Sequence, residues 1–175
     1  MTLELGPRGG SPLGQLQPMQ ALFRQVRALT RNVEDDLNHL LSDPTPEGGN
    51  SPAGHRPTVL LVKDDNVTRR AMGGWLARRG FSVLAATTGG EAARQLDQPP
   101  EPIDVAVVDL GLPDVNGVAL CEVMQEFHPF LPVVVCSGRA SREDLQRLHG
   151  AGVRRVLPKP VDPEELVSAV EEVLP

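Results

Sequence analysis

Val107-Val108-Asp109-Leu110-Gly111-Leu112-Pro113-Asp114-Val115-Asn116-Gly117 is the stretch on which the reading turns. The β-branched run Val105–Val108 stops at a carboxylate, Asp109, and a helical pattern begins at residue 117. A buried strand that ends in an acidic residue and passes into a helix is one unit of a parallel sheet with its chemistry at the strand ends.

The same alternation extends in both directions. Short apolar runs occur at Thr58–Val62, Phe81–Ala85, Val105–Val108, Val133–Cys136 and Val153–Leu157. Helical periodicity fills 67–79, 89–97, 117–127, 141–149 and 163–173. Strands alternating with helices predict an α/β domain, a parallel sheet covered on both faces. The runs lack polar alternation, as strands buried on both sides should. Gly73 and Gly74 weaken the first helix, each by up to ~1 kcal/mol relative to Ala, so Trp75 and Leu76 must anchor it by packing.

In open parallel sheets ligands bind beyond the carboxyl ends of the strands. The residues found there are Asp64-Asp65 after the first run, Asp109 after the third, Ser137 after the fourth and Lys159-Pro160 after the fifth. Carboxylates, a hydroxyl and an ammonium at one edge are what is needed to hold a hard divalent cation and a phosphoryl group together. Mg²⁺ takes oxygen ligands, while Lys and a hydroxyl position and neutralise phosphoryl oxygens. A single carboxylate after a strand is more often a helix N-cap than a reactive group; the set in order carries the argument. Lysine use adds a second one. The chain has two lysines, Lys63 and Lys159, among 17 basic residues, so a lysine kept at a strand end points to a need for a compact, flexible charge.

These motifs resemble the receiver domain of two-component response regulators, the CheY-like superfamily. Val-Leu-Leu-Val-Lys-Asp-Asp resembles its first strand and acidic pair, and residues 107–117 its phosphoacceptor segment, with Pro113 and Gly117 at the expected offsets. Val134-Val135-Cys136-Ser137-Gly138 resembles the switch hydroxyl segment, and Leu157-Pro158-Lys159-Pro160 the Lys-Pro pair, which is often cis. The resemblance implies a flavodoxin-like doubly wound sheet of five parallel strands, order 2-1-3-4-5. It implies that Asp109 takes a phosphoryl group from phosphohistidine, that Ser137 hydrogen-bonds it and that Lys159 pairs with it. It further implies Mg²⁺ held directly by Asp65, through water by Asp64, and by Asp109 and the carbonyl of Gly111. The implied partners are a histidine kinase or histidine phosphotransfer protein upstream and a protein target downstream. The domain would be a non-enzymatic signalling module that catalyses only its own phosphorylation and dephosphorylation. Rival readings are a phosphorylation-independent scaffold or adaptor, and a phosphate shuttle or sink.

Several residues depart from that pattern. Lys63 stands before the acidic pair, where an acidic or apolar residue is common; a solvated strand-end charge is the preferred reading, partial neutralisation of the carboxylates the other. Val156 replaces the aromatic residue that moves inward on activation in many receivers, and Val cannot swing as a ring does. Gly111 and Arg139 occupy the variable positions that tune phosphoryl lifetime.

Composition sets the remaining bounds. A net charge of −6 and the lack of a basic stripe argue against a nucleic acid partner. No apolar run approaches the ~20 residues that span a bilayer, and nothing at the start reads as a signal peptide; a cytoplasmic protein is expected. Cys121 and Cys136 read as small buried hydrophobes. Residues 1–17 are expected to be disordered and 43–57 to form a Pro/Gly-rich linker, leaving 58–175 as the receiver domain. With its end after the last helix, the domain is expected to have no DNA-binding output partner in the chain.

Between them, residues 18–42 form an expected helical extension, with Met19, Val26, Val33 and Leu40 seven apart and Leu22 and Leu29 completing a seam. Arg24, Arg27 and Arg31 precede Glu34, Asp35 and Asp36, which opposes the helix dipole and suits an antiparallel partner. Antiparallel self-association through 18–42, or docking on a partner helix, is the expectation. Residues 33–41 also resemble a histidine-kinase dimerisation helix, with Asp35 at the position of the phosphoacceptor histidine.

Overall fold

The computed structural model describes residues 56–174 and, before them, Ala21 alone. The expected disordered stretch 1–17, the extension 18–42 (Ala21 apart) and nearly all of the linker lie outside the described residues. The remainder alternates strictly: β1 (Thr58–Val62), α1 (Asn66–Arg78), β2 (Ser82–Ala86), α2 (Gly89–Asp97), β3 (Val105–Asp109), α3 (Gly117–Phe127), β4 (Val133–Ser137), α4 (Arg142–Gly150), β5 (Arg155–Pro158) and α5 (Pro163–Val173). All strand pairs are parallel, in the order β2-β1-β3-β4-β5. This is the flavodoxin-like doubly wound sheet expected from the sequence.

The period of two in a strand sends alternate side chains to opposite faces, and two cores result. Leu60, Val62, Ala106, Val108, Val133 and Val135 pack with α2, α3 and α4 on one side. Val59, Leu61, Val105, Val107, Val134 and Cys136 pack with α1 and α5 on the other. Every residue of β1, β3 and β4 is buried. The edge strands differ: β2 is mostly half-buried and β5 buries only Leu157. The expectation of strands buried on both faces therefore holds for the three inner strands and fails at the edges, which have a neighbour on one side only.

Local signals explain the boundaries. Asp65, Thr88, Asn116, Ser141 and Asp162 cap the five helices with side-chain oxygens on first-turn amides. Ser141 and Asp144 do so reciprocally. β2 and β5 start later than the apolar runs suggest. The amide of Phe81 donates to the Leu76 carbonyl, and that of Val153 to Leu148, so both residues still belong to the turns closing α1 and α4. Gly80 and Gly152, at φ 92° and 81°, make those turns. In α1, Met72 and Leu76 are buried and Trp75 packs against the same core, which offsets the two glycines.

Candidate functional site

Asp109 is the last residue of β3 and only 2% exposed. Its position is fixed by the chain that follows. A Cβ on Gly117 would lie 2.4 Å from the Leu110 Cα and 2.9 Å from the Asp109 carbonyl oxygen, so α3 rests directly on the backbone of the acidic turn and glycine alone fits there. Asn116 caps α3 through the amides of Val118 and Ala119. Asp114 accepts hydrogen bonds from the amides of Gly89 and Gly90, tying the same loop to the start of α2.

Both oxygens of the Asp109 carboxylate are engaged. Oδ1 accepts a hydrogen bond from Lys159 Nζ at 2.5 Å and another from the Gly111 amide at 2.8 Å. Oδ2 lies 2.6 Å from Lys63 Nζ, a close charge contact off the hydrogen-bonding angle. Burial works to raise the Asp109 carboxyl, but the hydrogen bond from Lys159 and the contact with Lys63 outweigh it and hold the group below its ordinary value of 3.8. Burial likewise opposes the charge on Lys63, and its bonds to Asp109 and Asp64 outweigh that and push it above its ordinary range.

The other expected residues separate into those brought to Asp109 and those not. Lys159 follows β5 beside a cis Lys159–Pro160 bond, and its amide donates to the Ser137 carbonyl at 2.9 Å. Ser137 ends β4 and is 8% exposed; Asp109 faces Cys136 in the ladder, so Ser137 stands one residue farther toward the same edge. Asp64 reaches the site through Lys63, whose Nζ donates to its Oδ1 at 3.0 Å. That bond is the main reason the Asp64 carboxyl sits low. Asp65 is a correction. Its Oδ1 accepts from the amide and hydroxyl of Thr68 as the exposed N-cap of α1, the hydrogen bond from the hydroxyl being the main reason its pKa is lowered. The expectation that Asp65 binds a metal directly gives way to capping, because β1 ends at Val62, as its apolar run does, and Asp65 stands immediately before the helix that starts at Asn66. Gly111 presents its amide to Asp109.

The oxygens of Asp64 and Asp109 suit Mg²⁺ chemically, but the arrangement does not. An ammonium bridges the two carboxylates. Among the described residues, no three His, Cys, Asp or Glu side chains form a group that could hold a metal ion.

One residue was weighed wrongly in the sequence, where neutralisation of the carboxylates by Lys63 stood as the second reading, and one, Arg69, escaped it. Lys63 is 9% exposed and paired with two carboxylates, so the reading of a solvated strand-end charge is overturned. Val62 pairs with Val108 across β1 and β3, which sets the next residue, Lys63, level with Asp109. The rarity of lysine was a usable signal, since it applies to Lys63 as much as to Lys159. Arg69 left no such signal. Its guanidinium donates to the carbonyls of Lys63 and Asp64, at 2.8 and 2.9 Å, and to Asn66 Oδ1, which clamps the β1–α1 loop.

Among known families, the chain matches the response regulator receiver domain over residues 59–171. It is 32% identical over 121 residues to the transcriptional regulatory protein GlrR of Escherichia coli, covering 69% of this chain and 27% of that one. It is 36% identical over 118 residues to the transcriptional regulatory protein CseB of Streptomyces coelicolor, covering 66% and 48%. The chain thus spans about a quarter to a half of these relatives. A CheY-like receiver domain protein of Methanospirillum hungatei has a similar crystal structure, with a TM-score of 0.64 at 28% identity over 67% of this chain and 93% of that one. A response regulator receiver protein of Pseudomonas putida gives 0.63 at 29% over 69% and 99%. With its sheet order, its buried strand-end aspartate and its Lys-Pro pair, this chain belongs to the response regulator receiver domain family of two-component systems.

Proposed function

We propose that Asp109 is the phosphoacceptor of this receiver domain, taking a phosphoryl group from a phosphohistidine. The observation that carries the reading is the contact between Lys159 Nζ and Oδ1 of a carboxylate that is 2% exposed. The two lysine contacts outweigh burial and keep Asp109 ionised, the form a nucleophile needs. A carboxylate oxygen forms the bond to phosphorus while the bond to the donor nitrogen breaks, its electron pair leaving with the imidazole. Lys159 then neutralises a phosphoryl oxygen, and Ser137 supplies a hydroxyl to another. Members of the family generally bind Mg²⁺ in the acidic pocket. In this arrangement the positive charge at Asp109 comes from Lys63 and Lys159.

The donor on this reading is a histidine kinase or histidine phosphotransfer protein, and the output a protein–protein contact through α4, β5 and α5. Phosphorylation shifts a pre-existing equilibrium of that face. Val156 on β5 is 37% exposed, and Arg155 pairs with Glu172 of α5 at 3.3 Å. Without a ring at Val156, the shift must be carried by the strand and its neighbours.

The test is intact mass after incubation with acetyl phosphate and Mg²⁺. A gain of one phosphoryl group in the wild type, abolished in Asp109→Asn, is the expected result; no gain with acetyl phosphate or any histidine donor overturns it. One observation favours the rival of a phosphorylation-independent scaffold: both Asp109 oxygens already have cationic partners. That reading predicts no mass gain.

A further inference from the structure

We infer that Lys63 is the resident cation of the Asp109 pocket, a tethered ammonium that excludes divalent ions from the acidic site. The inference rests on the pocket being the acceptor site of the preceding section, but the metal question can be tested apart from phosphorylation.

The argument starts from position. Lys63 leaves β1 level with Asp109, and its side chain is 11% exposed. Its Nζ lies 2.6 Å from Asp109 Oδ2 and 3.0 Å from Asp64 Oδ1. A divalent ion drawing on these two oxygens would have to take the place that the ammonium holds. The alternatives for extra ligands are poor. Asp65 is turned to Thr68 as the helix cap, and the second Asp109 oxygen is held by Lys159 and the Gly111 amide. Mg²⁺ needs near-octahedral oxygen ligands at about 2.0–2.1 Å, whereas the site offers two ammoniums around a single buried carboxylate.

The ammonium is also hard to dislodge. The backbone of Lys63 and Asp64 is clamped by Arg69. Removing Lys63 Nζ from Asp109 would leave a buried oxygen with less compensation, a change that costs far more in the interior than at the surface. A bound divalent ion must therefore displace a fixed charge and share the pocket with it, and like charges at that range repel strongly.

The experiment measures Mn²⁺ binding to the full chain by the loss of the free-ion electron paramagnetic resonance signal, in wild type, Lys63→Met and Lys63→Gln. Mg²⁺ competition reports whether Mn²⁺ sits where Mg²⁺ would. The expected result is at least about tenfold tighter binding in a folded Lys63 variant than in wild type, equivalent to ~1.4 kcal/mol. Equal affinity in wild type and variants overturns the inference. If neither variant folds, the wild type decides alone: stoichiometric Mn²⁺ binding at sub-millimolar concentration overturns it, and an undiminished free-ion signal supports it. Phosphoryl gain from acetyl phosphate, read by mass in parallel, keeps the two proposals distinct. Weak metal binding with no phosphoryl gain supports the Lys63 assignment and removes the acceptor reading.

Discussion

The two flanks of Asp109 each offer a lysine ammonium within hydrogen-bonding range, yet they are built differently. On the β5 flank, Lys159 is partly open, with a side chain 32% exposed, and meets one oxygen of Asp109. On the β1 flank, Lys63 is nearly enclosed, meets Asp109 and Asp64 together, and has its backbone held by Arg69. The same side chain therefore has two physical roles. A partly solvated ammonium on a flexible stem can follow a charge that moves from carboxylate to phosphoryl group. An enclosed ammonium between two carboxylates is part of the pocket wall, and its removal changes the charge balance of the interior.

Three experiments break or sharpen that contrast. The largest effect belongs to Lys159→Met. If Lys159 follows the transferred charge, phosphoryl incorporation from a low-molecular-weight donor slows by about 10²-fold, the usual cost of removing one such charge stabiliser. An unchanged rate would mean that Lys63 alone supplies the positive charge and that the flanks are not distinct. The second concerns acid stability. Asp109 and Asp64 are held low in the folded state, so the stability they contribute is present above the ordinary value of 3.8 and is lost as pH falls below it through the depressed folded values. Lys63 touches both carboxylates, so Lys63→Met should flatten the fall of unfolding free energy below about pH 4, followed by denaturant titration. An unchanged slope would assign the depression to Lys159 and the Gly111 amide. The smallest effect is expected for Arg69→Ala, which removes the clamp without touching the charges; a loss of about 1 kcal/mol in denaturant unfolding follows from its hydrogen bonds. A larger loss would make the clamp, rather than the ion pairs, the source of order on the β1 flank.

How much of this the sequence disclosed depends on which interactions are local. Strand ends announce themselves through β-branched runs and the polar residues after them, which is why Asp109, Ser137 and Lys159 could be named before any coordinates. Sheet order came from the family resemblance. What was hidden was the path of the chain between β1 and α1. Asp64-Asp65 reads as a pair, but Lys63 and Asp64 meet at the site while Asp65 turns to the helix cap. That division depends on where the first helical turn needs its cap, and no composition rule fixes it. The exposed edges of β2 and β5 were missed for a related reason: apolar runs do not say which strand lacks an outer neighbour.

The two cysteines acquire a use from the layering. Cys121, in α3, belongs to the core beneath α2, α3 and α4, and Cys136, in β4, to the core beneath α1 and α5. Burial, chiefly, pushes both thiols up to about 12, so neither forms the reactive thiolate while its layer stays closed. Each side of the sheet therefore carries one silent chemical clock, started only when that side opens. Whether the receiver domain breathes as one body or layer by layer is written in the relative labelling rates of these two thiols.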